Sequence, residues 1–257
     1  MGSTPRLRMF AGPNGSGKST LKDYLAPGLL GVYVNADEIE KSLKADSAID
    51  LAGFGVSATQ PEIQAFLADS GLLARQGRLE EAKALRLESG VLQFGNITPD
   101  SYYAAVLADF VRQKLLDAGV SFTFETVMSF PDKVALLQKA HEKGFRTYLY
   151  FVATEDPLIN IDRVRHRVEN GGHPVDEAKI VSRYGKSLEL LFDAVMQSDR
   201  AYIFDNSKKD QELIPLIAEV TDGVELEMKT DEMPAWFKTA LWDKFEEGDT
   251  GELSEPA

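Results

Sequence analysis

The sequence predicts an α/β fold, a mainly parallel sheet covered by helices on both faces in three layers. Three observations predict it. Short β-branched and aromatic runs alternate with segments of helical period along most of the 257 residues, and such an alternation folds through right-handed crossovers into a parallel sheet. A glycine-rich segment at residues 12–20 lies between the first of these runs and the first helical segment. The composition, 44% hydrophobic with no cysteine, supplies a sizeable apolar core that needs no disulfide.

In chain order, residues 6–11 (RLRMFA) read as a strand that stops at Gly12, and Lys18 to Leu25 as a helix. Gly31 to Asn35 is β-branched and aromatic, hence a second strand, and a helix starts at Ala36-Asp37-Glu38 and runs to about Lys44. Residues 45–98 read as a helical insertion. Ile63, Phe66 and Leu67, then Leu79, Ala82, Leu85 and Leu87, mark two or three short helices broken at Gly53, Gly55, Gly71 and Gly90. Thr98-Pro99-Asp100 reads as a cap with proline in the first turn of a helix, whose apolar face carries Tyr102, Val106, Phe110, Val111 and Leu115 until Gly119.

Val120 to Val127 is the next strand, Lys133 to His141 a helix, and Arg146 to Ala153 a strongly apolar strand. Pro157 to Val168 reads as a helix stopped at Asn170-Gly171-Gly172, and Val175 to Met196 as one long helix. Ala201 to Phe204 is a strand, Gln211 to Val220 a helix, Val224 to Met228 a last strand, and Pro234 to Phe245 a final helix anchored by Trp236, Phe237 and Trp242. The expected organisation is one domain over 1–246, with the insertion at 45–98, a lid region at 157–196 and a disordered tail at 247–257.

Charge and hydropathy exclude several functions. Lys and Arg number 28 against 41 Asp and Glu, a net charge of −13, which argues against nonspecific adhesion to nucleic acid or an anionic membrane. Residues 231–257 alone hold eight acids and two lysines, so much of the excess lies near the C-terminus. No apolar stretch approaches the roughly 18 residues of a spanning helix, no secretory core is present, and the absence of cysteine suits a reducing cytoplasm. It also excludes thiolate zinc sites and a cysteine nucleophile.

Gly12, Pro13, Asn14, Gly15, Ser16, Gly17, Lys18, Ser19 and Thr20 form a complete G-x-x-x-x-G-K-[ST] phosphate loop in strand–loop–helix context. Its glycines let backbone N–H groups face a β-phosphate, and the helix N-terminus adds positive potential. Lys18 then bridges the β- and γ-phosphates of ATP, and the Ser19 hydroxyl is a ligand for Mg²⁺. Asp37 ends the second strand, where a carboxylate can take the proton of an attacking hydroxyl or else cap the helix at Glu38. Glu125 and Thr126 end a later strand and are candidates for binding the acceptor.

Arg163, Arg165 and Arg167 precede Gly171-Gly172-His173, and Arg183 follows. Helical spacing puts Arg163 and Arg167 on one face and Arg165 elsewhere. Residues 163–186 hold six basic against three acidic residues, which predicts a mobile lid that stabilises transferring phosphate, with a merely solvated arginine-rich helix as the alternative. His166 and His173 read as surface or loop groups rather than metal ligands. Asp205-Asn206-Ser207 follows a strand and reads either as a contact near the nucleotide base or as a turn.

The segments AGPNGSGKST, VNADEI, FETVMS, GFRTYLYFVATEDPLINIDRVRHRVENGGHPVDEAKIVSRYGKSLELL and AYIFDNS together resemble the zeta-toxin family of P-loop kinases, in its zeta-toxin-like branch. The resemblance covers most of the chain outside 45–98 and the tail. It implies a P-loop kinase-like three-layer sandwich and a cytoplasmic kinase that uses ATP and Mg²⁺ to phosphorylate a sugar hydroxyl of a nucleotide sugar such as UDP-N-acetylglucosamine. It also implies restraint by a protein antitoxin.

Carried over by motif, Lys18 matches the phosphate-binding lysine, Ser19 the Mg²⁺ ligand, Asp37 the general base and Glu125 the contact to the sugar nucleotide. Arg163, Arg167 and Arg183 fall in the region of the family's phosphate-stabilising arginines. Family members often carry Thr two residues after that glutamate, where this chain has Val127. The loop begins at residue 12, which predicts restraint from another chain or from the insertion rather than from a fused N-terminal segment. The alternatives are a kinase for another small molecule or an RNA end, or a regulatory P-loop ATPase. Against the last, no LSGGQ or NKxD signature occurs and no apolar run ends in Asp-Glu.

Overall fold

The computed structural model describes residues 4–172, 174–209 and 213–249. The chain begins with strand β1 (Arg6–Ala11), helices α1 (Lys18–Lys22) and α2 (Pro27–Leu30), strand β2 (Val32–Val34) and helix α3 (Ala36–Asp46). Strand β3 (Ala48–Asp50), helices α4 (Gln60–Ala68), α5 (Gly71–Arg75) and α6 (Leu79–Ala82), and strands β4 (Arg86–Glu88) and β5 (Val91–Gln93) follow. Helix α7 (Ser101–Asp117), strand β6 (Phe122–Thr126), helix α8 (Asp132–Glu142) and strand β7 (Arg146–Ala153) lead to helices α9 (Pro157–Glu169), α10 (Glu177–Glu189) and α11 (Leu191–Met196). Strands β8 (Arg200–Asp205), β9 (Leu216–Thr221) and β10 (Glu225–Met228) precede helix α12 (Ala235–Phe237), a π-helical turn and helix α13 (Asp243–Asp249).

The main sheet is mixed, seven-stranded and mostly parallel, as the alternation of elements requires. The chain divides into two compact units, the described residues of Met1–Ala26 and Glu125–Ala257, and Pro27–Phe124. In the first, the strand order is β10-β9-β8-β7-β1. Here β1, β7 and β8 run parallel while β9 and β10 are antiparallel additions. Leu7, Met9, Leu149, Phe151, Ala201 and Ile203 are fully buried, as expected of strands covered on both faces.

A cross-strand aromatic ladder ties these strands together. Phe10, Tyr150 and Tyr202 are register partners, with ring centroids 4.7 Å apart for the first pair and 5.1 Å for the second. The arginines beside them pack over Tyr148. Trp236 and Phe237 are buried, with the Trp236 and Phe151 ring centroids 6.1 Å apart, so aromatic burial anchors α12, the first piece of the expected final helix, which the structure divides into α12, the π-helical turn and α13.

The second unit contains the parallel β2–β6 pair and a separate antiparallel sheet in the order β3-β5-β4. Residues 45–98 thus hold the expected short helices and also three strands. At three residues apiece these strands leave no readable period. The one local signal is the two-residue turn between Glu88 and Val91, where Ser89 and Gly90 both have positive φ, 51° and 85°, as a tight hairpin demands.

Three further boundaries differ from expectation. Residues 216–221 form strand β9 instead of the end of a helix, because Pro215 interrupts any helix and Ile217, Ala218 and Val220 are buried against β8 while Glu219 and Thr221 are not. The start of that expected helix, and the tail from residue 250, lie outside the described residues. The long helix expected at 175–196 is two, α10 and α11, meeting at Leu190. Asp100, not Thr98, caps α7, accepting from the N–H groups of Tyr102 and Tyr103.

Burial, reinforced by Tyr202, pushes the Tyr150 phenol from 10.0 up to about 12. The protonated side chain therefore contributes stability that is present below pH 10 and lost as the pH rises through about 12. Tyr150→Phe removes this loss, and the expected outcome is a shallower fall of melting temperature between those pH values than in the unaltered protein. Parallel alkaline limbs would contradict the assignment.

Candidate active site

The first unit builds the phosphate loop between β1 and α1 from backbone that only glycine accepts. Gly12 has φ 140°, and a Cβ there would meet the Val152 carbonyl oxygen at 2.0 Å. Gly17 has φ 104°, and a Cβ there would lie 2.5 Å from the Asn206 amide nitrogen. The loop runs against the ends of β7 and β8, and glycine is what permits the approach.

Two side-chain amides fasten the loop. Asn160, fully buried on α9, donates to the Asn14 carbonyl at 2.7 Å, and the hydroxyl of Thr154 is hydrogen-bonded to the same side chain. Asn206 donates to the Ser16 carbonyl at 2.8 Å while its own N–H binds the Ala153 carbonyl at 2.8 Å. Asp205-Asn206-Ser207 is thus a clamp on the loop. Asp205 accepts from Ser207 at 2.6 Å and from the Trp236 indole at 2.9 Å, and the Glu155 N–H reaches the Ser207 hydroxyl at 2.8 Å. Sequence reasoning missed Asn160 altogether; its only signal was an asparagine in the first turn of a helix following a strand.

Lys18 lies back over the loop, donating to the carbonyls of Gly12 and Pro13 at 2.8 Å each. Ser19 and Thr20 are exposed and Ser16 is buried. The Ser19 hydroxyl donates to a Glu125 carboxylate oxygen at 2.9 Å. This pairs two hard oxygen ligands of the kind Mg²⁺ prefers, so the residues present fit that ion together with nucleotide phosphates. Among the described residues no cluster of three or more His, Cys, Asp or Glu could hold a metal alone. Thr126 accepts from the N–H of Met128 at 3.0 Å, fixing the turn in which Met128 has φ 54°.

The arginines have separate surroundings. Arg163 is half-buried with its Nη1 buried and unpartnered. Burial lowers its pKa, and the Asp205 charge acts in the opposite sense. Arg165 faces away, as its spacing requires, and joins α9 to α10 through Glu177 at 2.7 Å. Arg167 is exposed at the last turn of α9 beside Gly172. Arg183 reaches from α10 to the Asn14 side chain at 3.4 Å. Ile161, Val164 and Ile180 pack the two helices together. His166 is exposed beside Glu169, and His173 lies outside the described residues.

Asp37 belongs to the second unit and is exposed in the first turn of α3. It does not cap that helix. Asn35 does, accepting from the Asp37 N–H at 2.8 Å, so the carboxylate of Asp37 is not consumed by capping.

Fold and loop together define the class, an α/β protein of the P-loop kinase-like kind. Residues 101–210 match the model of the zeta toxin family, which bears out the resemblance read from the motifs. Among solved structures, the chain is similar to one from AvrRxo1-ORF1:-ORF2 with ATP, at 14% identity and a TM-score of 0.51, covering 100% of this chain and 67% of that one. It is also similar to a chain of the PezAT chromosomal toxin–antitoxin system of Streptococcus pneumoniae, at 15% identity and a TM-score of 0.48, covering 99% and 82% respectively. A comparison with curated proteins found no match. Among the described residues no helix is long and apolar enough to cross a membrane.

Asn206→Ala removes one fastening of the loop and leaves its sequence intact. A single such hydrogen bond contributes roughly 0.5–1.5 kcal/mol, so affinity for an ATP analogue, measured by calorimetry, is expected to fall about three- to tenfold. Unchanged affinity would remove Asn206 as a positioning residue.

Proposed function

We propose that the protein is a cytoplasmic ATP-dependent kinase that transfers the γ-phosphoryl group to a hydroxyl of a nucleotide sugar such as UDP-N-acetylglucosamine. The observation that carries this reading is the fastened phosphate loop with Lys18 on it and the Ser19–Glu125 pair beside it. Phosphoryl transfer asks little of a protein beyond positioning, neutralisation of charge and a base for the acceptor hydroxyl.

In this reading the backbone of residues 12–20 holds the β-phosphate, and Lys18 leaves the carbonyls of Gly12 and Pro13 for the β- and γ-phosphates. Ser19 and Glu125 would hold Mg²⁺, which neutralises phosphate charge when bound. Glu125 also serves the acceptor side with Thr126. Arg163 presents a buried donor that lacks an acceptor in the protein, and a phosphate oxygen satisfies it; Arg167 and Arg183 add charge from the lid. Asp37, exposed and free of a capping role, accepts the acceptor's proton. The family resemblance further proposes a protein antitoxin as partner.

The test is product analysis with ATP and a panel of UDP-sugars, by ³¹P NMR and mass spectrometry. The expected outcome is one ADP for each phosphorylated sugar. Consumption of ATP with only free phosphate appearing would favour the regulatory ATPase. Lys18→Ala and Asp37→Asn are each expected to lower turnover by about a hundredfold or more with little change in melting temperature, and an Asp37→Asn protein at full turnover would remove Asp37 as the base.

A further inference from the structure

Within the first unit, the two faces of β1, β7 and β8 are unlike. One is fully buried, from Leu149 and Phe151 to Ala201 and Ile203. The alternate residues make the other face. There Arg8, Tyr148 and Arg200 are register partners in one row across the three strands, and Phe10, Tyr150 and Tyr202 in the next. Arg146 stands two residues before Tyr148 and so shares its side. Tyr148, Tyr150, Arg200 and Tyr202 are only half-buried and Arg146 is exposed, so this part of the face has no complete cover.

Arg8 is 5% exposed, and arginine is rarely buried so deeply without an acidic partner. Among the described residues it has none. Its guanidinium lies 5.2 Å from the Tyr148 ring centroid and donates to the Tyr150 hydroxyl. Arg146 lies 5.8 Å from the same centroid and also pairs with no carboxylate among the described residues. The acids of this face are elsewhere: Glu219, opposite Tyr202, is taken by Arg200 and Lys229, and Glu225 stands three strands from Tyr148 on β10. Two guanidiniums about one tyrosine ring therefore lack the carboxylates that the rest of the face has.

We propose that this face docks an extended acidic segment of a partner protein, with Asp or Glu at alternate positions, whose carboxylates pair with Arg8 and Arg146. Strand spacing and rise put the Cα atoms of these diagonal neighbours roughly 8 Å apart, and an extended chain places alternate side chains about 7 Å apart on one side. Guanidinium and carboxylate then meet in charge-assisted hydrogen bonds. A nucleobase finds no ring to stack on, because Phe10, Tyr150 and Tyr202 stack on one another and Tyr148 is held by the two arginines. The patch lies at the N-terminal ends of the strands. Along β7 it is roughly 20 Å from the Val152 carbonyl against which the phosphate loop packs, so it is separate from that loop and does not depend on the kinase reading.

The experiment titrates the full chain into a fluorescently labelled peptide of four Glu-Ser repeats and follows its anisotropy, with four Gln-Ser repeats as the neutral control. A chain of net charge −13 repels an acidic peptide except at a local positive site. Saturable binding is expected, with the control weaker by about tenfold or more. Arg146→Glu, an exposed position, is expected to weaken binding by about tenfold or more at an unchanged melting temperature, and Arg8→Gln to weaken it similarly. Lys18→Ala and Lys179→Glu, which lie off this face, bind the peptide as the unaltered protein does. Absence of saturable binding, unchanged affinity in Arg146→Glu, or a loss in Lys18→Ala or Lys179→Glu as large as in Arg146→Glu overturns the proposal. Displacement of the peptide by an equal concentration of inorganic phosphate or of a single-stranded hexanucleotide would make this a site for free phosphate or nucleic acid, and overturns it as well.

Discussion

The site depends on two asparagine amides. The backbone of a phosphate loop points its N–H groups inward at a ligand, which leaves carbonyl oxygens on its outer side in need of donors. Asn160 and Asn206 supply two of these, to Asn14 and Ser16. Each is held in turn, Asn160 by Thr154 and Asn206 by the Ala153 carbonyl, so the loop's curvature is referred to the ends of β7 and β8. The buried Asp205 carries this support further, through Ser207 to the loop after β7 and through the Trp236 indole to α12. Aromatic burial at the C-terminal end of the described chain is thereby connected to the geometry of residues near its start.

The same economy explains the arginines. Helices α9 and α10 are joined by an apolar seam and by Arg165 with Glu177. Arg163 carries an unsatisfied buried donor, a cost that a native protein tolerates where a ligand removes it. Arg183 reaches the loop from α10. A chain of net charge −13 thus assembles a positive surface locally, from residues between 163 and 186 and the loop lysine.

Much of this was legible in the sequence, for physical reasons that differ by element. β1 and β7 are apolar runs bounded by glycine and turn residues, and the structure gives both at the expected bounds. The phosphate loop is a local motif whose glycines report their own backbone conformation. The β3-β5-β4 sheet was hidden because three-residue strands have no period, and β9 because the short apolar run after Pro215 suits helix and strand alike. The clamp was hidden for another reason. Asn160 and Asn206 act on carbonyls 146 and 190 residues away in the chain, and nothing local to an asparagine announces a partner at that distance. Asp37 shows the reverse case: its two readings, base or cap, were equally local, and the cap at Asn35 removes the second without testing the first.

In the kinase reading, residues 12–20 cradle the terminal phosphates of a nucleotide and are fastened before the nucleotide arrives. The most direct measurement is the affinity of the protein for ATP, ADP and AMP with Mg²⁺ under one set of conditions. Such a cradle predicts ATP and ADP binding within about tenfold of each other and AMP weaker than either by about a hundredfold or more, since AMP forfeits at least two charge-assisted hydrogen bonds. AMP binding as tightly as ATP would place the affinity in the base and ribose, and would contradict it.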